Sequence, residues 1–262
     1  MSGVSAAFAK PGGKALITYL TVGYPSVEAT LETVPLIASS GCDLVELGIP
    51  FSDPLADGAT IQRSSYQALK QGVNTEICLD VARKLREQVD IPMVFMSYYN
   101  PVLNYGLDAF CMASAQAGIN GLIIPDLPPE ESGELENASG KHGIDLIYLL
   151  SPTSTEERID LVVERSRGFI YLVSLTGVTG TRESLPEDLE KFVLSVRKKA
   201  HQPLCVGFGI STPEQAQRVA KVADGVIVGS RLIQLMGEEE PAPKVRSFVE
   251  SLRDALSDVE LL

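Results

Sequence analysis

Eight short apolar segments, spread evenly along the 262 residues, constrain the fold of this chain more than any other feature. They are four to six residues long and end near Gly, Pro or Asp. Runs of this length suit strands that are buried on both faces, which is typical of parallel sheets. The predicted strands are Ala15–Leu20, Leu44–Leu47, Met93–Met96, Gly121–Ile124, Leu146–Leu150, Phe169–Val173, Leu204–Phe208 and Gly225–Val228.

Segments with the apolar spacing of helices separate these strands, and several begin with Ser, Thr, Asp or Pro. The predicted helices are Val27–Ala38, Thr75–Gln88, Leu107–Ala117, Pro129–Lys141, Thr155–Arg165, Pro186–Lys199 and Pro213–Val222. Alternating strands and helices form right-handed parallel crossovers, and eight such units in about 250 residues predict a closed barrel. We therefore expect an α/β fold, a single (β/α)8 TIM barrel with extra short helices over residues 1–262, with a doubly wound open sheet as the alternative. An acidic segment, Gly237–Pro243, precedes a final amphipathic helix.

The charge and the length of the apolar runs exclude several classes of function. A formal charge of −12 argues against general affinity for nucleic acid or anionic membranes, since both attract basic surfaces. The apolar runs fall short of the roughly 20 residues that a membrane helix needs. Residues 1–10 lack a basic flank followed by an apolar core, so a cytoplasmic location is expected.

The cysteines and histidines do not form a metal-binding pattern. Four cysteines lie apart with no Cys-x-x-Cys pair, which favours buried thiols. His142 and His201 stand in polar segments without the spacing of a metal site. The sequence therefore predicts no metal site.

The end of the second predicted strand carries Glu46, and the loop that follows it carries Asp53 and Asp57 among prolines and glycines. Catalytic residues of barrel enzymes lie at the carboxyl ends of strands and on the loops that follow them. A glutamate closing an apolar strand is costly unless it is paired or functional, so we expect Glu46 to face the barrel mouth, with a structural ion pair as the alternative. Burial would raise its pKa toward working pH. An alternative role for one of the two aspartates is to cap a helix beginning near Ala59; we expect Asp53 to be the structural member and Asp57 the functional one.

Glycine turns follow the last three predicted strands, at 177–180, 207–213 and 229–231. Glycine lets a backbone approach a ligand closely, and free amides at a helix start bind anions without a basic side chain. A glycine can also serve only to turn a strand into a helix. Their placement in successive strand-helix units, neighbours in a barrel, nevertheless predicts a phosphorylated substrate.

The stretch Glu-Leu-Gly-Ile-Pro-Phe-Ser-Asp-Pro-Leu-Ala-Asp-Gly at 46–58 resembles the signature of the tryptophan synthase alpha chain family. The resemblance extends through segments 19–25, 124–128, 177–180, 207–211 and 229–230. It implies retro-aldol cleavage of indole-3-glycerol phosphate into indole and glyceraldehyde 3-phosphate. The segment before the first strand is short, which implies a shortened helix at the bottom of the barrel.

The resemblance also implies roles for individual residues. Glu46 would be the acid–base that protonates C3 of the indole ring, and Asp57 would stabilise the charge that develops at the indole N–H. Thr179 would hydrogen-bond Asp57 on loop closure, and Tyr171 would shape the pocket near Glu46. The phosphate site would comprise Gly180, Phe208, Gly209, Gly229 and Ser230. The indole slot would comprise Tyr19, Tyr98 and Leu127, whose side chains are also compatible with ordinary core packing.

A partner chain and its cofactor follow from the resemblance alone. Indole would pass to a beta chain that carries pyridoxal phosphate (PLP), in an alpha2beta2 tetramer, while this chain would hold no cofactor. Segments 98–102 and 128–129, interpreted as exposed loops, resemble surfaces that the family presents to the beta chain. The alternatives are a stand-alone indole-3-glycerol phosphate lyase and a non-catalytic allosteric binding subunit. Another phosphate-binding barrel would explain the glycine turns but not the sequence at 46–58.

Overall fold

A computed structural model describes residues 3–9, 13–173, 187–207, 209–257 and 259. Within these ranges the strands are Ala15–Thr21 (β1), Leu44–Gly48 (β2), Met93–Met96 (β3), Gly121–Ile123 (β4), Asp145–Ile147 (β5), Leu149–Leu150 (β6), Ile170–Val173 (β7), Leu204–Gly207 (β8) and Gly225–Val228 (β9). The α-helices are Val27–Ser39 (α1), Ala59–Lys70 (α2), Thr75–Arg86 (α3), Tyr99–Tyr105 (α4), Leu107–Gln116 (α5), Gly133–Lys141 (α6), Glu156–Arg165 (α7), Glu187–Arg197 (α8), Pro213–Ala220 (α9), Ser230–Met236 (α10) and Pro241–Leu256 (α11).

The strands form one parallel sheet in the order β5-β4-β3-β2-β1-β9-β8-β7-β6. Tyr148 alone separates the two outermost strands along the chain, so the sheet is a nearly closed barrel. This architecture confirms the predicted barrel and rules out the open doubly wound sheet. All strands run in the same direction, which brings their carboxyl ends, and the loops that follow them, to one end of the barrel.

The prediction of one continuous fifth strand over 146–150 was wrong, because two strands, β5 and β6, occupy this segment. The Tyr148 amide donates to the Ser166 hydroxyl at 3.3 Å instead of to a neighbouring strand. Its hydroxyl hydrogen-bonds Ser132 and donates to Glu136, the latter at 2.7 Å. The Tyr148 carbonyl still accepts from the Tyr171 amide of β7 at 3.0 Å, so the division of the strand coincides with the amide of Tyr148, which is bonded to Ser166.

Side chains alternate between the barrel interior and the surrounding helices. The interior cluster includes Ile17, Tyr19, Leu44 and Tyr171, whereas Leu16, Val45 and Leu47 pack outward against the helices. Glu46 shares the inward face of β2 with Leu44, because successive strand residues point to opposite faces. Its Cα partner across the β1–β2 pair is Tyr19. The interior therefore holds a carboxyl group at the level of the barrel mouth.

Local capping explains several helix starts. The Ser26 hydroxyl accepts a hydrogen bond from the Ala29 amide at the start of α1, and Asn74 caps α3 in the same way. Segment 98–102, interpreted from sequence as a loop, is instead the start of α4. Pro101 lies in the first turn of that helix, where a missing N–H costs little because it has no acceptor there anyway. The predicted helix 129–141 is divided into a 3-10 turn, Pro129–Glu131, and α6.

A short 3-10 helix, Val4–Phe8, closes the amino-terminal end of the barrel. Val4 is fully buried in the interior cluster, and the ring of Phe8 lies 6.0 Å from that of Phe169. This segment lies at the bottom of the barrel, where a plugging helix was expected. Across the described part of the chain, none of the helices combines the length and the apolar character needed to cross a membrane.

Candidate active site

A cavity of about 500 Å³ opens at the carboxyl ends of the strands. Strand residues Tyr19, Glu46, Met96, Tyr171 and Ile227 form its floor and walls. The loops and helix starts that follow the strands complete its rim. Its position is the one at which barrel enzymes hold their substrates.

Glu46 is the buried acid of this cavity. Its side chain is 0% exposed, and neither carboxyl oxygen has a hydrogen-bond partner among the described residues. Burial raises the pKa of Glu46 to about 8, since a carboxylate without partners is poorly solvated there. The carboxyl group therefore keeps its proton at neutral pH and can donate it to a bound molecule. The inward orientation and the raised pKa both agree with the expectation from sequence.

Asp57 lies on the loop after β2 and faces the same cavity. The Tyr98 hydroxyl donates to its Oδ2 at 3.2 Å and accepts from the Ala56 amide at 2.9 Å, which fixes the loop. Burial raises the pKa of Asp57 to about 6, and the Tyr98 hydrogen bond partly opposes that rise. Asp57 is thus ionised at neutral pH, whereas Glu46 is protonated. One cavity holds one acid and one anion.

Neither aspartate of the loop caps α2, contrary to one expectation from sequence. The residue that precedes the helix is Gly58, and no side chain there accepts a helix amide. Asp53 is exposed and accepts a 2.5 Å hydrogen bond from the Ser52 hydroxyl. It is absent from the cavity wall, so the two aspartates have the separate positions that the sequence suggested.

Two tyrosines line the cavity beside Glu46, and each fits over a glycine. A Cβ at Gly48 would overlap the hydroxyl of Tyr19, and one at Gly207 would overlap the hydroxyl of Tyr171. Burial, and then the nearby carboxyl groups, raise the pKa of both phenols well above the usual value. Both tyrosines are therefore neutral and give the cavity large, rigid apolar walls.

The glycine turns after β8 and β9 meet at one side of the cavity, where Gly209, Gly229 and Ser230 line it. The start of α9 is capped by Thr212, and Gln215 Oε1 accepts from the amides of Ser211 and Thr212 at 2.8 and 3.2 Å. Those two amides are already bound within the turn, and Gly209, Gly229 and Ser230 line the cavity beside them.

The remaining predicted site residues have different outcomes. Tyr98 does not line the cavity, but its hydroxyl donates a hydrogen bond to Asp57, which does. Leu127 lines a separate cavity of about 640 Å³, together with Tyr148 and Val173, so the structure does not bring it to Glu46. Thr179, Gly180 and Phe208 lie outside the described residues.

Sequence reasoning missed several residues of the cavity wall, among them Ile61, Met96, Ile227, Arg231 and Gln234. Arg231 directly follows the Gly229–Ser230 turn, so its place in that motif was a signal. Ile61 and Gln234 come from helices, and only the tertiary fold brings them to the cavity. In the described ranges, no group of three or more His, Cys, Asp or Glu side chains is arranged to hold a metal ion.

Comparisons with known proteins agree with this geometry. The family model for the tryptophan synthase alpha chain matches residues 6–257. The tryptophan synthase alpha chain of Dehalococcoides mccartyi is 59% identical over 98% of this chain and 100% of the relative. The crystal structure of tryptophan synthase subunit alpha from Legionella pneumophila has a TM-score of 0.92 at 36% identity, over 99% of this chain and 100% of that one. A structure of Mycobacterium tuberculosis tryptophan synthase gives a TM-score of 0.88 at 39% identity, over 97% of this chain and 96% of that one. With its buried glutamate, loop aspartate and glycine turns on the same barrel, the chain belongs to the tryptophan synthase alpha chain family.

Proposed function

We propose that this chain cleaves indole-3-glycerol phosphate by a retro-aldol reaction into indole and glyceraldehyde 3-phosphate. The observation that carries the proposal is the pair of carboxyl groups in one cavity, Glu46 and Asp57, whose pKa values of about 8 and about 6 keep them in opposite protonation states at neutral pH. Such a pair supplies an acid and an anion at the same time.

Glu46 acts first as the acid. Its proton moves to C3 of the indole ring, which becomes tetrahedral and leaves positive charge on the ring nitrogen. The bond between C3 and the glycerol chain then breaks, and its electrons return to the ring. The glycerol hydroxyl on the departing carbon loses its proton to the Glu46 carboxylate and becomes the aldehyde. Glu46 ends in its starting state, and no other reactant is consumed.

Asp57 stabilises the positive charge at the indole N–H while C3 is tetrahedral. A carboxylate is effective here because Asp57 is partly buried, which strengthens the attraction relative to one in bulk water. The Tyr98 hydroxyl holds the Asp57 carboxylate in position through a hydrogen bond to Oδ2. The other oxygen, Oδ1, is buried and has no partner among the described residues. By the family resemblance, Thr179 adds a second hydrogen bond when the loops close.

The substrate binds through both of its ends. Gly180, Phe208, Gly209, Gly229 and Ser230 form the phosphate site, in which backbone amides hold the anion. The indole ring lies against Tyr19 and Tyr171, two neutral walls of the cavity. Tyr98 acts from behind Asp57, and Leu127, which lies in the neighbouring cavity, does not form part of this slot.

We propose further that a tryptophan synthase beta chain receives the indole. That chain would carry the PLP, the complex would be an alpha2beta2 tetramer, and both would work in the cytoplasm. Two exposed apolar side chains support a docking face: Leu55 on the Asp57 loop is 92% exposed and Leu103 on α4 is 50% exposed. Large exposed apolar side chains are enriched at protein interfaces.

Indole release from purified protein, with and without a beta chain, tests this proposal. We expect slow cleavage that the beta chain accelerates, and loss of at least about a hundredfold in Glu46→Gln and Asp57→Asn. Asp53→Asn is the matched control, because Asp53 is exposed on the same loop and should keep full activity. Fast cleavage that ignores the beta chain would indicate a stand-alone lyase. No cleavage under either condition would leave a non-catalytic binding subunit.

A further inference from the structure

Arg231 gives the cavity a positive charge at the side of the glycine turns. Of the described residues that line the cavity, Glu46 and Asp57 are acidic and Arg231 alone is basic. It directly follows Gly229 and Ser230, and its side chain is 39% exposed. In a chain of net charge −12, a lone cation at this position is a local attraction for an anionic ligand.

The contacts of Arg231 within the protein are long. Its Nη1 lies 3.4 Å from Gln234 Oε1 and 3.7 Å from Glu238 Oε1. Glu238 has a closer partner, the Lys244 ammonium at 2.9 Å, which lowers the pKa of that carboxyl. Glu238 therefore stays paired when Arg231 turns away, and the guanidinium can move toward a ligand without leaving a lone charge behind.

The place of Arg231 in its helix is unfavourable for folding alone. It stands in the first turn of α10, where the helix dipole favours anions and opposes cations. Sequences tend to break such local rules where function requires it. A bound phosphate beside the same turn would pair with the guanidinium and offset this unfavourable position.

We infer that Arg231 is a substrate-binding residue that pairs with the phosphate group of the substrate and contributes to the preference for phosphorylated molecules. The inference rests on the proposed function for the identity of the substrate. Guanidinium and phosphate form strong charge-assisted hydrogen bonds in a fixed geometry, which lysine reproduces only in part. The glycine turns hold the anion through backbone amides, and Arg231 adds the charge that those amides lack.

Steady-state cleavage by Arg231→Gln and Arg231→Lys tests the inference. We expect KM for indole-3-glycerol phosphate to rise about tenfold in Arg231→Gln and less in Arg231→Lys, with kcat changed by less than about twofold. Arg246→Gln is the matched control, because Arg246 is an exposed arginine on α11 that faces Glu250 at 3.9 Å. Glu238→Gln should leave KM unchanged or lower it, since it removes a competitor for the guanidinium.

Calorimetric titration separates a phosphate contact from a structural role. Arg231→Gln should weaken the binding of glycerol 3-phosphate about tenfold and leave the binding of indole unchanged. Equal weakening of both ligands, an unchanged KM, or a Glu238→Gln variant as impaired as Arg231→Gln would each overturn the inference. A wild-type protein that binds glycerol 3-phosphate in an Arg231-dependent manner but cleaves nothing would uphold the contact and refute the proposed function.

Discussion

Replacing Glu46 by glutamine should stabilise the folded protein while abolishing cleavage. The Glu46 carboxyl group is fully buried, and its oxygens have no hydrogen-bond partner among the described residues. Burial raises its pKa from 4.5 to about 8, so ionisation of Glu46 is unfavourable in the folded state but not in the unfolded chain. Glutamine has nearly the same shape as glutamate and does not ionise, so the substitution removes the cost of a buried charge.

The magnitude follows from the two pKa values of Glu46. Between pH 4.5 and about 8 the folded state keeps a proton that the unfolded state has lost, so the free energy of unfolding falls as pH rises. Each pH unit in that window costs about 1.4 kcal/mol, which amounts to about 3 kcal/mol at pH 7 and about 5 kcal/mol above pH 8. Below pH 4.5 both states are protonated and the loss disappears.

Urea unfolding of both proteins at pH 5, 6, 7 and 8 measures the effect. Glu46→Gln should exceed the wild type by an amount that widens by about 4 kcal/mol between pH 5 and pH 8. Glu32→Gln is the control, because Glu32 is exposed on α1 and its replacement should give no such trend. A stability difference that stays constant with pH would refute the reasoning, because the buried carboxyl would then not be titrating between the two states.

Three further substitutions follow from individual contacts. Tyr98→Phe removes the hydrogen bond that opposes the rise in the pKa of Asp57, so the acidic limb of the pH–rate profile should move up by about half a pH unit; an unchanged limb would show that this bond does not act on Asp57. Gly48→Ala places a methyl group against the Tyr19 hydroxyl and should cost about 1 to 3 kcal/mol in urea unfolding, together with a higher KM; full stability would mean that the ring has room to move. Thr212→Ala removes the cap of α9 and should lower the free energy of unfolding by about 1 kcal/mol, whereas Thr212→Ser should restore most of it.

The strand positions were predictable because barrel strands are buried on both faces and therefore appear as continuous apolar runs. The division of the fifth strand at Tyr148 was not, since it coincides with a hydrogen bond to Ser166, which lies at another position in the sequence. The start of α4 was interpreted as a loop, yet it forms a helix, because its Pro101 lies in the first turn, where a proline is tolerated.

The catalytic carboxyl groups could be predicted from the sequence more readily than the residues that line the cavity. Alternation places Glu46 on the same face of the strand as Leu44, and the cost of leaving a carboxyl group unpaired favoured the barrel mouth over the helix side. Ile61 and Gln234 come from helices whose rotation relative to the barrel is set by packing, which a single sequence does not reveal. For Leu127, the family motif did not indicate which cavity the side chain lines. It lies in the cavity of about 640 Å³, beside the one that contains Glu46.

The pH dependence of kcat/KM for indole release tests most directly whether Glu46 and Asp57 divide the work of acid and anion. Activity should rise as Asp57 ionises near pH 6 and fall as Glu46 loses its proton near pH 8, which gives a bell-shaped profile with its maximum near neutrality. Asp57→Asn should remove the acidic limb from whatever activity remains. A profile that is flat from pH 5 to pH 9, or a wild-type acidic limb that persists in Asp57→Asn, would contradict the assignment of these two carboxyl groups.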